Sequence, residues 1–122
     1  MSLRFEGYAA VFDRVDRAGD VIRAGAFGAV APVPLLLQHR GSPVGVIEAI
    51  GEDGRGLRVV ASVEEPALAA RVRAGAVAGL SVGYWVVSAR QGARRELLAV
   101  SLVEVSLVAV PMQALARVTR VF

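Results

Sequence analysis

Alternating and continuous apolar runs, rather than helical spacing, dominate the chain. Leu3 to Phe12 is apolar and aromatic with Gly7 inside, and the next stretch, Asp13 to Asp20, is rich in turn and charged residues, which predicts a strand and then a loop. Val21-Ile22 is a short extended piece and Arg23 to Phe27 a turn, after which Pro32 and Pro34 keep the chain out of helix. Leu35-Leu36-Leu37-Gln38-His39 reads as a buried strand whose end delivers a histidine. Val44 to Ile50 and Leu57 to Val63 are β-rich runs joined by Gly51-Glu52-Asp53-Gly54-Arg55-Gly56, the pattern of an antiparallel hairpin with a longer loop. Glu64-Glu65-Pro66 opens one helix, with acids at its positive end and a stop at Gly75. Its apolar side is narrow, so it packs on the outside. Val77 to Val87 and Leu97 to Val110 are long β segments around a polar turn from Arg90 to Arg95, and Ala114 to Phe122 admits a strand or a helix.

The sum is a mainly β (α+β) chain. It predicts a mostly antiparallel closed β-barrel of about six or seven strands with one or two helices, in preference to a βαβ fold. With 122 residues and no internal repeat or linker, a single domain over 1–122 is expected.

Composition removes several classes of function. There is no cysteine, so no disulfide forms, and a zinc site would have only His39 and carboxylates to draw on. All 14 basic residues are arginine against 11 acids, a net charge of +3. They are scattered, with no run longer than Arg94-Arg95, whereas a phosphate-binding groove normally clusters its cations. A mean hydropathy of +0.54 raises the membrane question. The strongest candidate, Leu97 to Val110, contains Glu104, Ser101 and Ser106 and falls short of the ~20 apolar residues a spanning helix needs. No signal-peptide core follows Met1. The expectation is a soluble, cytoplasmic protein with neither membrane nor nucleic acid as partner.

Three features carry chemistry. Gly79-Leu80-Ser81-Val82-Gly83 matches the G-x-S-x-G string of hydrolase nucleophiles, but here the context is strand running into strand. On a strand Gly79, Ser81 and Gly83 share a face, which places the hydroxyl in a cleared patch with room for an acyl group; the alternative is a bulge or barrel corner. His39 is the sole imidazole. It offers a general base, or a hydrogen-bonded structural group. Strict alternation would put Leu98, Val100, Leu102, Glu104, Ser106, Val108 and Val110 on one face, leaving Glu104 among apolar neighbours. A carboxylate there must be neutral, solvated or paired with an imidazole or guanidinium. Hydroxyl, base and orienting acid together form the set that acyl transfer requires. Their chain order would be His39, Ser81, Glu104.

The same residues carry a resemblance. Gly7-Tyr8-Ala9-Ala10-Val11-Phe12, Asp16, Gly19-Asp20-Val21-Ile22 and Gly25-Ala26-Phe27 resemble the opening blocks of the prohead maturation proteases of tailed phages. Leu36-Leu37-Gln38-His39 with Pro43-Val44-Gly45, Gly79 to Tyr84, and Leu102 to Val108 with Pro111 are similar to three further blocks. The resemblance implies an assemblin-like serine endopeptidase that cuts the scaffold region of the major capsid protein inside the prohead, in the cytoplasm of the bacterial host. It implies His39 as base and Ser81 as nucleophile, with Glu104 assigned as the third member from its place in the Glu104-Val105-Ser106 element and from the burial argument. No cofactor and no metal is expected. A homodimer, with Tyr84 and Trp85 as anchors, or crowding in the shell would switch the enzyme on. The turn from Arg90 to Arg95 or the segment around Met112 would supply the oxyanion donors. Arg40 after the histidine, Ala24 before Gly25 and Met112-Gln113-Ala114 after Pro111 depart from the family's pattern. The compact, GC-rich composition suits a phage or a phage-derived gene transfer agent. The alternative function is a catalytically silent barrel that serves as a capsid assembly or scaffold factor.

Overall fold

A computed structural model of the chain describes residues 2–122. The order of elements is β1 (Leu3–Val11), β2 (Asp20–Ile22), β3 (Leu35–Leu37), β4 (Arg40–Glu52), β5 (Gly56–Val63), α1 (Pro66–Arg73), β6 (Gly79–Gln91), β7 (Arg95–Val108) and β8 (Val118–Val121). The mainly β reading holds, as do the β4–β5 hairpin and the single helix between β5 and β6. Pro66 sits in the first turn of α1, and the Glu65 carboxylate accepts the N–H groups of Ala67 and Leu68 at 3.0 and 2.7 Å. Leu68, Ala69 and Val72 face the core. Gly75 then leaves the helix with φ +84°, a conformation glycine adopts without the Cβ penalty.

The expected closed, mostly antiparallel barrel is corrected in two respects. The eight strands form one mixed sheet in the order β2-β7-β3-β4-β5-β1-β8, with β6 on β7. Both short strands, β2 and β3, run parallel to β7, because each reaches its neighbour by a long crossover instead of a hairpin. The sheet curls without closing as a ladder. At one corner Leu80 N–H donates to Ala116 O (3.0 Å) and Val118 N–H to Ala78 O (2.8 Å), and an isolated bridge joins Gly79 to Arg117.

β7 is the axis of the sheet, with β6 along one edge and β2 and β3 along the other. Its alternation is broken, so the expected single face from Leu98 to Val110 does not exist. The register with β6 skips a residue between the Gly83–Glu104 and Tyr84–Leu102 pairs and slips again near Val87 and Leu98. Each such bulge displaces one residue and re-aims those beyond it. Leu97, Val100, Val105 and Leu107 therefore lie in the hydrophobic core, with Leu102 packed against it, whereas Glu104 and Ser106 turn the other way, toward the end of β3.

Candidate active site

The site is assembled across three adjacent strands, whose spacing of about 4.8 Å keeps facing side chains within reach of one another. Ser81 on β6 lies directly opposite Ser106 on β7, and Gly83 opposite Glu104. On the far edge of β7, Leu36 of β3 pairs with Ser106 and Leu37 with Leu107. The chain then leaves β3 into Gln38 and His39.

His39 is not the end of a buried strand. β3 stops at Leu37, and Gln38 and His39 form a tight turn with φ +53° and +61°, the left-handed region that side chains other than glycine seldom occupy. Such strain persists where surrounding bonds over-determine it. Here β7 and the residue that follows it supply them: Gln38 N–H donates to Leu107 O at 2.9 Å, Ala109 N–H donates to Gln38 Oε1 at 3.3 Å, and His39 N–H donates to Ser106 Oγ at 3.0 Å. The imidazole is consequently 43% exposed rather than buried. A turn lifts it out of the sheet.

Glu104 is 8% exposed and paired. Its Oε1 lies 2.5 Å from His39 Nδ1, and its Oε2 accepts the Ser106 hydroxyl at 2.7 Å. Of the partners open to a carboxylate in this position, imidazole and not guanidinium is the one it meets. With Nδ1 facing the carboxylate, Nε2 is the ring nitrogen left for proton transfer. Arg40 is exposed at the start of β4 and takes no part in these bonds.

The two glycines around Ser81 have a different use from the one expected. A Cβ at position 83 would collide with Oε1 of Glu104 and lie 3.0 Å from its Cγ and Cδ. A Cβ at 79 would lie 2.9 Å from Pro111 Cδ and from Val108 O. The cleared space is filled from within by the carboxylate and by Pro111, not held for an acyl group.

Ser81 is 7% exposed and shares with His39 a cavity of about 110 Å3, walled by Ala9, Ile22, Leu80, Val82 and Met112 with Asp16, Tyr84 and Gln113 at polar positions. A wider groove of about 500 Å3 opens from the same pair past Arg17, Gln38 and Val110. Ser81 and His39 thus face one shared space. Among the described residues no direct hydrogen bond joins them, and such bonds commonly tighten only with substrate present.

Sequence reasoning missed Asp16, Ser106 and Gln113 as parts of the site. Asp16 is buried and accepts the N–H groups of Ala18 and Asp20 at 2.8 and 2.9 Å, fixing the loop that borders the cavity. Gln113 is also buried, and its amide pairs with Val11 N–H (2.7 Å) and O (2.9 Å) as if it were a strand residue. That holds Met112 over the cavity. Tyr84 is half-buried, and burial, followed by the charges of Asp16 and Asp20, pushes its hydroxyl pKa up. The turn from Arg90 to Arg95, one expected source of oxyanion donors, borders a separate depression with Ala18, Gly19 and Asp20, while Met112 does border the Ser81 cavity.

A model of the caudovirus prohead serine protease family matches residues 1–121. The chain belongs to this family. It is 37% identical to the prohead protease of Enterobacteria phage HK97 over 94 residues, which cover 67% of this chain and 42% of that protein. The chain thus spans less than half the length of the curated relative it matches. In fold it is similar to the KSHV protease in complex with a hexapeptide phosphonate inhibitor, with a TM-score of 0.62 at 15% identity over 93% of this chain and 62% of the other. A second KSHV protease structure gives 0.54 at 16% identity, over 88% and 55% of the two chains. The varicella-zoster virus protease gives 0.50 at 17% identity over 84% and 58%. At these identities the likeness bears on the fold, and it bears out the assemblin-like expectation for the curled sheet.

Proposed function

We propose that the chain is a serine endopeptidase of capsid maturation, with Ser81 as nucleophile, His39 as general base and Glu104 as the group that orients His39. The observation that carries the proposal is the 2.5 Å pairing of His39 Nδ1 with Glu104 at the cavity that also holds Ser81. His39 Nε2 takes the Ser81 hydroxyl proton as Oγ bonds to the peptide carbonyl carbon. The same nitrogen returns the proton to the leaving amine when the C–N bond breaks, and water then releases the acyl group by the reverse use of His39. Glu104 holds the ring so that Nε2 stays unprotonated before attack.

The substrate in this reading is the scaffold region of the major capsid protein, met inside the prohead in the host cytoplasm. Activation comes from crowding in the shell or from pairing with a second copy. Trp85, 72% exposed, with Val86 and Val87 beside it, offers an apolar contact surface on β6 for that step. Arg4, Arg23, Arg58, Arg90, Arg95 and Arg120 are engaged with carboxylates, which takes six of the 14 arginines out of the cations available to a phosphate-binding groove. Among the described residues no helix is long and apolar enough to cross a membrane.

The test is co-expression with the capsid protein and measurement of its mass. Native protein shortens the capsid chain, whereas Ser81→Ala and His39→Ala leave it whole. Particles that form with an uncut capsid chain in all three cultures would instead indicate an assembly factor.

A further inference from the structure

We propose that Ser106 is a positioning residue that sets both members of the His39–Glu104 pair for proton transfer; the catalytic part of this role rests on the peptidase reading above. Ser106 is fully buried, so it touches neither solvent nor substrate. It nevertheless stands opposite Ser81 in the register and bonds to both other members of the triad. Its hydroxyl proton goes to Glu104 Oε2 at 2.7 Å, and its oxygen accepts the His39 backbone N–H at 3.0 Å. A hydroxyl has one proton and two lone pairs. The acceptor-only carboxylate takes the proton, and the N–H, which can only donate, takes a lone pair. The direction of both bonds is therefore fixed.

This arrangement links two things that otherwise vary independently. The first is the rotation of the carboxylate. With Oε2 occupied by Ser106, Oε1 is the oxygen presented to His39 Nδ1. The second is the placement of the imidazole, which depends on a left-handed backbone at His39. The bond to Ser106 is one of the three contacts, with those of Leu107 and Ala109, that hold this turn, and it is the one that also reaches the carboxylate. Removing the hydroxyl releases the ring and its acceptor together.

His39 is the only histidine, so its ring gives the sole imidazole signals in a nitrogen-15 long-range NMR spectrum of the full chain. At alkaline pH the native protein shows the Nδ1–H tautomer in excess. Ser106→Ala, nearly isosteric, loses that excess toward the Nε2–H form, and Ser106→Thr, which keeps the hydroxyl, recovers it. With purified capsid protein as substrate, Ser106→Ala lowers kcat roughly tenfold or more and leaves KM within about twofold, the pattern of a lost transition-state interaction. Ser106→Thr restores most of kcat. Should Ser106→Ala fail to fold, Ser106→Cys, close in volume and a weak donor, is measured in its place with the same expectations. A native-like tautomer ratio with native kcat in the alanine or cysteine variant overturns the proposal, and so does a change confined to KM. If native protein cleaves nothing while the tautomer still shifts in the variant, the peptidase reading fails and the structural link through Ser106 stands.

Discussion

Gly83→Ala tests whether the carboxylate of Glu104 occupies the space that glycine leaves. A Cβ added at 83 would lie 3.0 Å from Glu104 Cγ and Cδ and closer still to Oε1, where ordinary contact begins at 3.4 Å. The backbone at 83 is tied into the β6–β7 ladder, so the carboxylate has to move, by roughly 1 Å. A displacement of that size breaks the 2.5 Å bond to His39. Misplacement on this scale costs on the order of 10²-fold in rate, and full loss of an orienting acid on the order of 10⁴-fold. The variant is therefore expected to lose 10²- to 10⁴-fold in kcat/KM, with about 1–3 kcal/mol of stability lost to overpacking. The assay is capsid-protein cleavage beside urea unfolding, repeated for Glu104→Asp and for the double variant. The shorter acid vacates the contact, so adding Gly83→Ala to Glu104→Asp costs little further activity, a coupling of over ~1 kcal/mol in a double-mutant cycle. Full activity in Gly83→Ala, or losses that simply multiply in the double variant, would refute the reasoning.

Gln113→Ala leaves the N–H and carbonyl of Val11 without their partners, and at about 1–3 kcal/mol per stranded buried group the urea midpoint falls; an unchanged midpoint would mean water replaces the amide. Glu65→Ala removes two N-cap bonds from α1 and costs ~1 kcal/mol, read as a lower Tm with activity retained. Stability also falls in acid. The guanidiniums of Arg90 and then Arg23 lower the Glu96 pKa from 4.5 to about 2, and Arg95 lowers that of Asp20. A carboxylate whose folded pKa is depressed stabilises above its unfolded pKa and loses that contribution as pH falls through the folded one. Urea midpoints therefore drop between pH ~4.5 and ~2, and Glu96→Gln flattens the slope.

What the sequence showed followed the range of the forces involved. The β4–β5 hairpin and α1 were legible because their signals are local: glycines in one connection, and an acid and proline at one helix start. The parallel pairing of β2 and β3 with β7 was not, since it joins residues far apart in the chain and leaves no local pattern. The face shared by Gly79, Ser81 and Gly83 was legible because no bulge interrupts β6 between them, so the two-residue period holds there. The face of Glu104 was misread because a period count assumes an unbroken strand, and the skipped register beside it reverses every assignment on one side. The left-handed turn at Gln38 and His39 had no signal either. Neither residue is glycine, and the bonds that hold the turn come from β7 and the residue that follows it.

The bulge explains why one strand can supply both the core and the proposed site. Without it, Glu104 would continue the face of Val100 and Leu102, and a carboxylate would enter the hydrophobic core, where an unpaired charge is costly. With it, Val105 and Leu107 take the core positions, while Glu104 and Ser106 turn to meet a histidine 65 positions earlier in the chain. That histidine is held by bonds to β7 from a strand that pairs with β7 in parallel. Two of the features that differ from an ideal antiparallel barrel, the bulge beside Glu104 and the parallel strand β3, are thus the ones that bring His39 and Glu104 together near Ser81.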